Sequence, residues 1–131
     1  MKYALHDTQI NSIVCNNEGI EFHFAQGVYF LNEQGKEGER SSSCRMVITI
    51  GDFDSRRMYE HVTVMKSGKS KISEIAFAEF LKLLEKDSFV VDIDYYSFFG
   101  ASILLKGYCG KFNIEFTITE VDKVEYLFEQ Q

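Results

Sequence analysis

Three stretches of this chain alternate apolar and polar residues with a period of two: Ile20 to Phe24, Cys44 to Ile50, and Lys111 to Thr119. That period sends one set of side chains to a core face and the other toward water, the pattern of a half-buried β-strand. Phe and Tyr, both strand formers, supply the 15% aromatic content. There is no proline, so every turn rests on Gly, Asn, Asp and Ser. A largely antiparallel sheet follows.

Nine strands are expected: Gln9 to Cys15, Ile20 to Phe24, Val28 to Leu31, Cys44 to Ile50, Met58 to Met65, Phe89 to Tyr95, Ala101 to Tyr108, Lys111 to Thr119, and Lys123 to Phe128. Asn16-Asn17-Glu18-Gly19 reads as the turn of a first hairpin. The segment from Asn32 to Ser43 reads as an exposed loop. One helix is expected between the fifth and sixth strands, capped by Ser70 or Ser73 and ending near Lys86-Asp87. Its apolar stripe runs through Ile72, Ala76, Phe80 and Leu83, with Phe77, Leu81 and Leu84 beside it. The short polar connections favour antiparallel neighbours. The expected fold is therefore α+β and predominantly β: an antiparallel meander sheet, curved or a partial barrel, with one amphipathic helix packed on it. A chain of 131 residues makes this a single domain over 1–131.

Net charge is −6 and uneven. Residues 74–131 carry eleven acidic groups against five basic ones, while Arg56, Arg57, Lys66, Lys69 and Lys71 form the one basic region. An acidic balance excludes a phosphate-tracking nucleic-acid binder and suits a basic protein partner. No apolar run is long enough to span a bilayer, and the first residues lack the apolar core of a secretory signal. Cys15, Cys44 and Cys109 are odd in number and scattered, which reads as reduced, buried thiols in a cytoplasmic protein. The paired spacing of a zinc site is missing, so no metal or other cofactor is expected.

Candidate chemistry is sparse. Glu21 and His23 point to one face of their strand and could act as an acid–base pair, with Asp92 as a third group. His61 would need Tyr59 and Thr63 as same-face neighbours. Asp92 and Asp94 share one face of an ideal strand, a spacing at which two carboxylates can hold a cation or work as acid and base. Asp52-Phe53-Asp54-Ser55 lacks the Gly and Glu of a calcium loop. No nucleophile elbow, phosphate loop or dinucleotide fingerprint is present. Gly107-Tyr108-Cys109-Gly110 sets a thiol among glycines with no nearby His.

Tyr95-Tyr96-Ser97-Phe98-Phe99-Gly100 stands apart. A strand that alternates sides cannot bury all four aromatics in one core. Exposed aromatics rimmed by carboxylates make a protein-binding patch, so Asp92, Asp94, Tyr95, Tyr96, Phe98 and Phe99 are the candidate partner-binding residues.

Leu5-His6-Asp7 with Ile10 and Ile13, followed by a hairpin into Ile20-Glu21-Phe22-His23-Phe24, resembles the opening of small bacterial β-rich proteins. Many of those are uncharacterised, and some are immunity proteins of contact-dependent or polymorphic toxin systems. The resemblance implies a cytoplasmic, non-enzymatic protein that blocks one basic toxin domain, and it carries over no functional residue. The expected function is a non-catalytic protein-binding module, immunity-like, with self-association through an edge strand compatible with it. The alternatives are a small-ligand binder in a half-closed barrel and a hydrolase using His23 and Glu21.

Overall fold

The structure, a computed structural model, describes residues 3–97 and 101–129. Its strands are β1 (Tyr3–Ala4), β2 (Thr8–Ile10), β3 (Ser12–Cys15), β4 (Gly19–Phe24), β5 (Tyr29–Leu31), β6 (Glu37–Arg40), β7 (Cys44–Ile50), β8 (Val62–Ser67), β9 (Ile72–Ile75), β10 (Phe89–Ser97), β11 (Ser102–Cys109), β12 (Phe112–Ile118) and β13 (Val121–Phe128). A 3-10 turn covers Ser55–Glu60, and the α-helix, α1, covers Phe77–Leu84. The strands form a six-stranded sheet (β2-β10-β11-β12-β8-β9), a four-stranded sheet (β13-β7-β4-β3) and a three-stranded sheet (β1-β5-β6). All pairings are antiparallel.

The α+β, mostly β class is as the alternation predicts. The count and the layout are not: the described residues form thirteen strands rather than about nine, in three sheets of which none is closed into a barrel. Each discrepancy has a local cause. The stretch from Gln9 to Cys15 breaks at Asn11, whose amide donates to His23 and whose side chain accepts from Ala25 (2.9 and 2.8 Å). This hands β2 to one sheet and β3 to another. Part of the expected loop, Glu37–Arg40, pairs with β5, helped by Arg40, which donates to the Tyr29 hydroxyl (2.6 Å) and lies over its ring. The segment Met58 to Met65 begins as the 3-10 turn, with Asp54 accepting from the Arg56 amide (2.9 Å), and becomes strand only at Val62.

The helix is shorter than its apolar stripe suggests. Ile72–Ile75 pairs with Val64–Ser67 as a hairpin strand, closed by a Gly68 to Lys71 hydrogen bond (3.2 Å). Neither Ser70 nor Ser73 therefore caps anything, and α1 starts after Ala76 without a side-chain cap. Here long-range pairing overrides a local helical period. Phe80 and Leu84 carry the buried face of the helix.

One core joins the layers. The inner face of the six-stranded sheet, with Val64, Phe89, Val91, Leu105, Ile114 and Phe116, is buried against α1 and against Ile20, Phe22, Met46 and Ile48 of the four-stranded sheet. Cys44 and Cys109 are buried as expected, but Cys15 is exposed because β3 is the edge of its sheet. Burial pushes the Cys44 thiol up to about 11, so it stays protonated at neutral pH. No helix among the described residues is long and apolar enough to cross a membrane.

Candidate functional site on the six-stranded sheet

An antiparallel sheet packed on one side is expected to present polar residues on the other. The four-stranded sheet does so with Glu21, which accepts from Arg45 (2.7 Å) and Asn16 (3.1 Å), and with His23, 3.3 Å from the Ser43 hydroxyl. The six-stranded sheet mixes polar with large apolar side chains on its outer face. Three cross-strand rows run over its outer face: Val90-Tyr108-Asn113-Ser67-Ile72, Ile93-Lys106-Glu115-Met65-Glu74, and Tyr95-Leu104-Thr117-Thr63. Ile72 (72%), Tyr95 (64%), Ile93 (54%) and Tyr108 (48%) stand open to solvent. A shallow groove of about 310 Å³ crosses the face, lined by Met65, Ile72, Asp92, Ile93 and Tyr108 among others. The groove's charges are Asp92 and the Lys106–Glu115 ion pair (3.3 Å), and Glu74 stands at the end of the Ile93 row, so the charged groups of the face are net negative.

A β-bulge decides which candidate residues reach this face. Val91 opposes Gly107 and Ile93 opposes Lys106, so Asp92 is the extra, unpaired residue. An extra residue shifts the side-chain phase of everything after it. Asp92 and Asp94 consequently do not share a face. Ile93 and Tyr95 turn outward, whereas Asp94 and Tyr96 turn inward, opposite the buried Leu105 and Ile103. Tyr96 meets Tyr126, and burial raises both phenols far above their ordinary range, with Asp94 adding to the effect. Asp92 and Tyr95 thus belong to the face, while Asp94 and Tyr96 do not. Phe98 and Phe99 lie outside the described residues. Ile93, Tyr108, Met65 and Ile72 were not among the predicted residues. Outward alternation in β11 was the sequence signal for Tyr108; Ile72 was hidden by the helical reading and Ile93 by the bulge.

The bulge is fastened by His6. Its Nδ1 lies 2.6 Å from the Asp92 carbonyl oxygen and 3.8 Å from the Asp92 carboxylate, and its Nε2 lies 3.3 Å from the Asp7 carboxylate. With acceptors at both nitrogens, the protonated ring donates twice. The Asp92 carbonyl is the main reason the His6 pKa is raised above 6.5, with the carboxylates of Asp7, Glu37 and Asp92 adding to it. A raised folded-state pKa gives stabilisation that is fully present below about 6.5 and is lost as pH rises through the folded value. Wild type is therefore expected to exceed His6→Ala in stability most below that pH, with the gap closing on the alkaline side. Urea denaturation of both at a series of pH values checks this, and a gap that widens with rising pH would contradict it.

His6, Asp7 and Asp92 are also the one trio of His, Cys, Asp or Glu ligand atoms within 4.8 Å of one another among the described residues. All three are exposed, and the hydrogen-bonded clamp already accounts for their arrangement. The acid–base alternative fares worse. Glu21 and His23 are each engaged by other partners and sit on β4, in a different sheet from Asp92. His61 is buried, with Nε2 accepting from the Asp54 amide (3.3 Å) and its ring 5.3 Å from that of Phe53. Cys109 donates to the Asp87 carbonyl (3.2 Å). Of the basic region, Arg56, Arg57 and Lys66 pair with Asp54, Glu60 and Glu79. Comparison of the chain with known protein families, with curated proteins and with solved structures finds no match.

Proposed function

We propose that this protein is a non-catalytic protein-binding module that holds a basic partner against the outer face of its six-stranded sheet, as an immunity protein holds the toxin domain it blocks. One observation carries the reading: four of the eight exposed large hydrophobic residues among the described residues, Ile72, Ile93, Tyr95 and Tyr108, stand on that single face. Scattered exposed hydrophobics need no explanation, but four on the outer face of one sheet do. Aromatic and aliphatic anchors supply affinity at such patches, and an acidic rim raises the association rate with a basic partner. A net charge of −6 works in the same direction. The test is affinity capture from the source organism's lysate with the wild-type chain beside Ile93→Ser/Tyr95→Ser. Both sites are exposed, so the variant should stay folded to within about 1 kcal/mol. A protein released by rising salt is expected on the wild-type bait and not on the variant.

A further inference from the structure

The edge of the six-stranded sheet beside this face is only partly covered. β2 pairs with Phe89–Val91, the first third of β10. The last backbone bond between them runs from the Asp7 amide to the Val91 carbonyl (2.8 Å). Asp7 then adopts a left-handed conformation (φ 61°), which turns the chain away from β10. His6 satisfies the next carbonyl, that of Asp92. Beyond it, on the side away from β11, Ile93 to Tyr96 make no backbone hydrogen bond among the described residues. An open edge of this kind is a template for another strand.

What would fill it is constrained by charge. Asp7 and Asp92 line the edge, Glu37 lies within electrostatic reach of His6, and His6 is the basic group set among them. A second copy of the chain pairing β10 to β10 would set this acidic edge beside the same acidic edge of its partner. Like charges opposed across a strand pair are destabilising, so self-pairing is disfavoured and a Lys- or Arg-bearing strand is favoured. We infer that the free edge of β10 from Ile93 to Tyr96 receives an extended basic segment of the partner as an added strand. The inference rests on the protein-binding reading and states how the partner engages. Main-chain bonds supply affinity, alternate side chains of the added strand lie over Ile93 and Tyr95, and its basic groups reach Asp92 and Asp7.

The probe is a short end-blocked peptide of alternating Lys and Val, titrated into the isotopically labelled chain. Two control peptides accompany it: one with Glu for Lys, and one with its two central residues replaced by Pro-Pro. The two adjacent prolines interrupt the donors on both edges of the peptide. The Lys-Val peptide is expected to shift the amide resonances of Ile93 to Tyr96. The Pro-Pro peptide should bind about tenfold more weakly, the equivalent of one to two backbone hydrogen bonds, and the Glu peptide should not bind. Equal binding of the Pro-Pro peptide, or no shift at Ile93 to Tyr96, would overturn strand addition. Either failure leaves the face reading untouched, because Ile93→Ser/Tyr95→Ser reads the side chains of the face, whereas the Pro-Pro comparison reads the backbone of the edge.

Discussion

Phe116→Ala is expected to destabilise this protein by about 3–5 kcal/mol, the range for removing a fully buried aromatic ring. Phe116 is fully buried where three layers meet. Its ring centroid lies 5.6 Å from Phe22 of the four-stranded sheet and 5.5 and 6.3 Å from Phe80 and Phe77 of α1. Phe80 in turn meets Phe89 edge-on at 5.6 Å. Truncation therefore opens a cavity lined by rings that belong to separate elements, which cannot close over it without moving a sheet or the helix. Much of a native domain's stability, about 5–15 kcal/mol in all, would be lost at one site. Phe116→Leu keeps most of the volume and should cost less than half as much. Urea denaturation of the two variants measures the difference, and equal, small losses would show that the layers do not depend on this ring.

Gly107→Ala is expected to cost about 3 kcal/mol or more, at the upper end of overpacking penalties. A Cβ on Gly107 would overlap the Val90 carbonyl oxygen and come within 3.0 Å of the Phe89 ring. Gly107 sits in β11, paired on both sides, and opposes Val91 immediately before the bulge. The clash is with backbone rather than with a side chain that can rotate away. Gly35→Ala is the control: Gly35 has φ 75° but no atom within 4 Å of a built Cβ. There only the left-handed backbone is penalised, about 1–2 kcal/mol. If the two substitutions cost the same, close approach at the bulge is not what selects glycine at 107. Because the bulge orients Ile93 and Tyr95, Gly107→Ala should also weaken partner binding beyond what its stability loss explains.

β12 shows how far the alternation carries. Ile114, Phe116 and Ile118 are buried while Asn113 and Glu115 face outward, as the period-two pattern demands. The expectations failed where pairing between distant segments decided the outcome. Ile72 fits a helical stripe, yet it pairs with Ser67 and faces solvent. Asp92-Ile93-Asp94 reads as regular alternation, yet one unpaired residue inverts the phase and sends Ile93 outward and Asp94 inward. No local signal announces the inversion, because the bulge belongs to the register between β10 and β11, two strands that meet only on folding. The candidate face was therefore half legible: Asp92 and Tyr95 follow from composition and position, Tyr108 from alternation in β11, and Ile93 and Ile72 required the register.

The direct test of the account is the parallel capture with a third bait, Tyr59→Ser, added. Tyr59 is 74% exposed, lies in the 3-10 turn and belongs to none of the three rows on the outer face. The account predicts one partner that is retained by wild type and Tyr59→Ser, released as salt rises, and lost from Ile93→Ser/Tyr95→Ser. Retention of the same proteins on all three baits, or loss caused by Tyr59→Ser alone, would contradict it and remove the outer face from consideration.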